Sequence, residues 1–137
     1  MRDVVAMTAL TLTEAAAQLH RGDIAAESYT RDLMARCERE QELNAFISID
    51  RTLLSLAARR ADEKRRAGQL LGPLHSVPIA LKDNINTTGL QTTAGSAGLV
   101  EFRAQSDAPV ARWLFEAGAL LLGKSSMLVP SIGPRFR

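Results

Sequence analysis

Val77-Pro78-Ile79-Ala80-Leu81-Lys82-Asp83-Asn84 is a short apolar run that leads straight into charge. A continuous apolar run of this length suits a strand in a sheet buried on both faces. Ala119-Leu120-Leu121-Leu122 is a second such run. Between the two, Val110, Ala111, Leu114 and Phe115 recur at helical spacing. Asp107 stands where an N-cap would, and Pro109 falls in the first turn. Strand, helix, strand predicts a parallel βαβ unit, so the fold class is α/β.

The stretch 83–106 has no periodic element and is rich in Thr, Gly and Ser: Thr87-Thr88-Gly89, then Thr92-Thr93-Ala94-Gly95-Ser96. A structureless segment longer than about 12–15 residues inside a compact domain is usually functional or disordered. This one carries few charges and lies between two apolar runs, which favours a packed, site-forming loop.

Upstream of residue 70 the style changes to Ala, Arg and Glu, and the chain reads as helices. Thr11 and Glu14 form a capping-box pattern for a helix that stops at Gly22. A second helix is expected over 26–41, with Tyr29, Leu33 and Cys37 as its buried stripe. Residues 44–49 read as a short strand. A third helix is expected over 51–67, with Leu53, Leu54, Ala57, Ala58 and Ala61 on its apolar face and the arginines outward. Gly68 and Gly72-Pro73 end it.

The chain has 137 residues, 46% hydrophobic and 23% charged, with a formal net charge of +2. That suits one ordinary domain or a piece of a larger one, not a disordered chain. Its single cysteine, Cys37, excludes an internal disulfide. No apolar stretch reaches membrane-spanning length, and the first residues turn polar too soon for a signal peptide, so the expectation is a cytoplasmic protein with no membrane partner. Arg59, Arg60, Lys64, Arg65 and Arg66 form a basic run, but Asp62 and Glu63 interrupt it. Interleaved signs and few aromatic residues read as a solvated helix face, with no nucleic-acid partner.

Arginine does nearly all the basic work here: fourteen arginines stand against three lysines, Lys64, Lys82 and Lys124. A lysine at the end of an apolar strand is therefore out of character. Burial would strip hydration from Lys82, lower its pKa and make it a usable general base. The alternative is a lysine paired with Asp83 at a strand edge. Asp83 and Asn84 could anchor the loop through side-chain to backbone hydrogen bonds, or simply form a turn. Gly118 to Ser125 spells G-x-x-x-x-G-K-S, but its middle reads as a buried strand and no long helix follows, so a phosphate-binding loop is disfavoured. His20, His75 and Cys37 lack the spacing of a zinc site.

Gly72-Pro73-Leu74-His75-Ser76-Val77-Pro78-Ile79-Ala80-Leu81-Lys82-Asp83-Asn84-Ile85, followed by Thr92-Thr93-Ala94-Gly95-Ser96, closely resembles the amidase signature family. The likeness extends over about residues 10–127 and includes Leu43-Asn44-Ala45-Phe46 and Gly123-Lys124-Ser125-Ser126-Met127. It implies an α/β sandwich: residues 10–70 as its N-terminal helical region, 71–127 as the start of the catalytic core and 128–137 as a divergent tail. It also implies hydrolysis of an amide C–N bond by a Ser-cisSer-Lys mechanism, without metal or organic cofactor. Lys82 aligns with the catalytic lysine. Gly95 and Ser96 would shape the site loop, and Met127 would line the substrate pocket. The family's Gly-Gly-Ser-Ser-Gly-Gly segment and its nucleophile have no counterpart here, and Ser126 replaces a usual Asn. Ser125, Ser126 and Ser131 are not in the nucleophile's context.

The expectation is therefore the N-terminal part of a truncated amidase, inactive alone, whose intact parent acts on a small-molecule amide. One component of a tRNA-dependent amidotransferase fits the same residues. The alternatives are an oligomerisation or partner-binding module, as a homodimer, and one half of a split enzyme met by a complementing polypeptide.

Overall fold

A computed structural model of the protein describes residues 9–127. Their order is α1 (Leu12–Arg21), α2 (Ala26–Arg39), a 3-10 turn at Gln41–Leu43, β1 (Phe46–Ser48), α3 (Arg51–Arg66), β2 (Pro78–Lys82), a 3-10 turn at Ala97–Leu99, α4 (Pro109–Glu116) and β3 (Leu120–Ser125). The tail at 128–137, with Ser131, lies outside the described residues.

The helices begin and end where local chemistry directs. The Thr11 hydroxyl accepts from the Glu14 amide while the Glu14 carboxylate accepts from the Thr11 amide. Gly22 closes α1 in the left-handed conformation, φ 80°. Asp50 caps α3 through the Leu53 amide at 2.9 Å. Helix α2 has no such residue. Its cap position is Ala25, and Asp62 of α3 supplies the missing acceptor, taking the Ala26 and Glu27 amides at 2.9 and 3.1 Å. Asp62, read from sequence as part of a solvated face, is 2% exposed.

Two apolar clusters bind the layers. Ala15, Leu19, Ile24, Ala26, Tyr29, Ala58, Ala61 and Val77 join α1, α2 and α3 to the start of β2. Met34, Leu54 and Leu122 join α2 and α3 to β3. Each fully buried Leu or Met in these clusters contributes about 1.5–3 kcal/mol of transfer free energy. The α2 stripe is rotated from expectation: Ala26, Tyr29, Thr30 and Met34 are buried, whereas Leu33 and Cys37 are half-buried. In α3, Leu53 is 48% exposed and the stripe runs Leu54, Ala58, Ala61, Asp62.

The sheet order is β1-β3-β2. Strand β3 pairs parallel with β2 and antiparallel with β1, so the βαβ unit forms as expected and the short strand makes the sheet mixed. In the β2–β3 register Ile79 faces Leu121 and Ala80 faces Gly123, which leaves Leu122 as a bulged residue turned into the helical core. Gly123 lies where β1 crosses: a Cβ there would sit 2.6 Å from the Ser48 carbonyl oxygen and 2.8 Å from Ile49 Cγ1.

Strand β2 is not buried on both faces. Ile79 packs on the first cluster and Leu81 is buried, while Ala80 and Lys82 are exposed. Among the described residues β2 pairs only with β3, so its outer edge is open. Asp107 does not cap α4; Ala108 occupies that position without a side-chain bond. The Asp107 carboxylate instead accepts from the Thr88 amide at 2.7 Å and hydroxyl at 3.2 Å, tying the long loop to the start of α4.

Candidate active site

Lys82 is the last residue of β2, beside Ser125, the last of β3. Parallel strands thus end together at the sheet's carboxyl edge, where ligands of open α/β sheets bind. Lys82 is exposed there. The loss of hydration expected at Lys82 falls on Lys124, which has no accessible surface. In place of a Lys82–Asp83 pair there is one between Lys124 and Asp83, with Nζ and Oδ1 3.8 Å apart. Adjacent residues of a strand point to opposite sides, so the lysine able to reach Asp83 comes from the neighbouring strand.

Asp83 is fully buried and does anchor the loop. Its amide donates to the Ser125 carbonyl at 3.1 Å and its carbonyl accepts from Ala94 at 3.2 Å. Its Oδ2 accepts from the Thr93 amide at 3.1 Å and from the Thr93 hydroxyl. The Thr93 hydroxyl accepts in turn from the Gly95 amide at 3.2 Å. Ala94 and Gly95 both have positive φ, 50° and 71°, a conformation costly for alanine and held by the bonds on either side.

Lys124 Nζ donates to Ile85 O at 2.6 Å, Gln91 O at 3.2 Å and Thr92 Oγ1 at 3.0 Å. Three oxygens around one nitrogen match the three N–H groups of an ammonium. Burial pulls the Lys124 pKa below its ordinary value, and the Asp83 carboxylate opposes that pull. Gly123-Lys124-Ser125 lies within β3, a geometry incompatible with a phosphate-binding loop.

Lys82, Gly95 and Ser96 are therefore brought to one edge by a single hydrogen-bonded loop. Ser96 is exposed, and its amide donates to Thr93 O at 2.8 Å. Met127 follows β3 by two residues and is half-buried; Ser126 between them donates to Ala45 O at 2.9 Å. A cavity of about 740 Å³ lies elsewhere, between α2, β1 and the start of α3. Leu33, Cys37, Phe46 and Leu122 line it, and none of Lys82, Gly95, Ser96 or Met127 does. Its charged lining includes the ion pairs Arg36–Glu40 and Arg51–Glu38 together with Glu42, and the candidate site is the one at the strand ends. Sequence reasoning missed Thr93 and Lys124 as structural partners. The available signal was the same one that singled out Lys82: a rare lysine at the end of an apolar run.

These elements form the beginning of an amidase-type α/β sandwich, a class assignment that comparison with known proteins bears out. The model of the family described as Amidase matches residues 28–131, and the chain belongs to that family. The glutamyl-tRNA(Gln) amidotransferase A subunit of Chloroflexus aurantiacus is 46% identical over 116 residues, which are 84% of this chain and 24% of that protein. The protein of the same name from Streptomyces coelicolor is 39% identical over 128 residues, 93% of this chain and 25% of that protein. Among solved structures, the peptide amidase of Stenotrophomonas maltophilia superposes with a TM-score of 0.80 at 34% identity, over 87% of this chain and 25% of that one. Fatty acid amide hydrolase shares the fold, with a TM-score of 0.83 at 22% identity, over 93% of this chain and 23% of that one. The chain thus spans about a quarter of the length of the relatives it matches. Among the described residues, no helix is long and apolar enough to cross a membrane.

Proposed function

We propose that this chain supplies the general-base lysine, Lys82, to an amide C–N hydrolase whose two serines lie in the remaining three quarters of the family fold. The observation that carries this reading is the position of Lys82: exposed, at the carboxyl edge of parallel strands, next to a loop fixed from behind by Asp83. In the Ser-cisSer-Lys scheme that the family resemblance implies, the Lys82 amine takes the nucleophile's proton through the middle serine. The serine oxygen then bonds to the amide carbon. The C–N bond breaks, the nitrogen leaves with a returned proton, and water cleaves the acyl-serine ester to release the acid and restore the serine.

Gly95 and Ser96 present backbone and hydroxyl groups at the same edge, and Met127 adds an apolar wall for the substrate. No cofactor enters this scheme. The amidotransferase relatives are each named as one component of a larger enzyme, which supports further polypeptides in the parent assembly. The open β2 edge is a pairing surface for the rest of the family fold or for a second copy of this chain.

The test is complementation. This chain and a polypeptide carrying the remaining family fold are co-expressed and purified, and ammonia release from simple primary amides is measured. Release is expected from the pair, not from this chain alone, and is lost in Lys82→Ala. Ammonia release by this chain alone above its Lys82→Ala control would overturn the reading.

A further inference from the structure

Asp83 and Lys124 have no accessible surface, yet the proposed chemistry uses neither. We infer that Lys124 is a positioning residue: with Asp83 it latches the 83–96 loop to the end of β3, and so sets Gly95 and Ser96 against Lys82. The consequence for catalysis rests on the proposed role of Lys82; the latch itself does not.

A buried ion pair is weak evidence for stability, because desolvating two charges offsets their attraction. At 3.8 Å this pair is also not in close contact. An isosteric apolar side chain would fill the same volume without desolvating a charge. What the ammonium adds is direction. Its three donors reach Ile85, Gln91 and Thr92, so one nitrogen of β3 holds both the outgoing and returning ends of the loop. Asp83 holds the next step. It sits one residue after Lys82, and its carboxylate takes both Thr93 donors.

Thr93 Oγ1 then accepts the Gly95 amide. Hydrogen bonds therefore run from Asp83 through Thr93 to Gly95, and Lys124 joins them through its 3.8 Å ion pair with Asp83 and its bond to Thr92, the neighbour of Thr93. The positive φ angles of Ala94 and Gly95 lie at the far end of this path, where a loop released from it would relax. Lys124 is the deep anchor of this path, not a proton carrier: its nitrogen is enclosed by oxygens that it already satisfies.

The test uses hydrogen exchange and lysine NMR on the full chain. Lys124→Met keeps the shape and removes the donors; Thr93→Val breaks the path nearer the surface and stands in if Lys124→Met does not fold. The amides of Thr93, Ala94, Gly95 and Ser96 are expected to exchange at least about tenfold faster in either variant, with those of α1–α3 changed by less than about threefold. Reductive ¹³C-methylation should label Lys64 and Lys82 but not Lys124 in the native chain. The Lys82 methyl signal should shift in Thr93→Val while that of Lys64 does not, a response that loss of packing alone would not produce.

Uniform acceleration across the chain, unchanged loop exchange, or an unmoved Lys82 signal would each overturn the positioning role. Should the loop loosen and Lys82 respond while Lys82→Ala leaves complemented amidase activity intact, the latch stands and the general-base role of Lys82 fails.

Discussion

Replacing Asp62 with alanine removes a helix cap that comes from 36 residues away in sequence. The Ala26 and Glu27 amides both point at its carboxylate, and Ala26 is completely buried, so water cannot take over that bond. Glu27 is exposed, so its amide can recover part of its loss from solvent. A hydrogen bond to a charged acceptor is worth about 1.5–3 kcal/mol, and orphaning a buried donor adds its desolvation penalty. One bond lost outright and one partly replaced come to about 3 kcal/mol. The carboxylate also faces the positive end of the α2 dipole, which adds in the same direction.

The assay is urea unfolding followed by far-UV circular dichroism, with the chain kept at low micromolar concentration. With a slope of about 2 kcal/mol per molar urea, the midpoint should fall by about 1.5 M while the slope stays constant. Asp62→Asn keeps one acceptor oxygen and should lose about half as much. A midpoint shift under about 0.5 M in Asp62→Ala would refute the assignment of Asp62 as the α2 cap.

Gly123→Ala should destabilise the chain by about 2 kcal/mol, because its Cβ meets the Ser48 carbonyl and Ile49 where β1 crosses β3; a melting temperature equal to wild type would show that β1 can move away. His75 is 4% exposed, and burial, with the nearby Lys64 and His20 charges, lowers its pKa, against the Ala61 backbone bond and the Asp62 charge. The unfolded chain therefore binds a proton before the folded chain does, so His75 has no effect well above pH 6.5 and reduces stability as pH falls below it. Thermal melts at about pH 7.5 and about pH 5.5 should show a larger drop in wild type than in His75→Gln; equal drops would refute this origin. The open β2 edge should make the chain associate as concentration rises, and Ala80→Lys should suppress it by placing a charge on the exposed face beside that edge; sedimentation velocity showing wild-type monomer at every concentration would refute it.

Much of the local structure was legible in the sequence because its causes are local. Thr11, Glu14 and Gly22 bound α1 through contacts within one turn. The third helix falls where its apolar stripe put it, and Pro109 occupies the first turn of α4. The two apolar runs with a helix between them set a parallel βαβ unit, since a right-handed crossover is the favoured way to join them. The Pro78-Ile79-Ala80-Leu81-Lys82-Asp83-Asn84 block marked the family and put Lys82 at a strand end, where the structure has it.

What escaped the sequence depends on pairs far apart along the chain. Asp62 reads as one more charge in a basic run, and only the approach of α3 to α2 turns it into a buried cap. Asp107 has the right residue type and spacing for an α4 cap, but the long loop claims it through Thr88. The two lysines show the contrast most clearly. Sequence alone establishes that Lys82 and Lys124 are rare and that each ends an apolar run. Which of them keeps its hydration depends on what folds over it: the 83–96 loop closes its carbonyls around Lys124, while the outer face of β2 leaves Lys82 open to solvent.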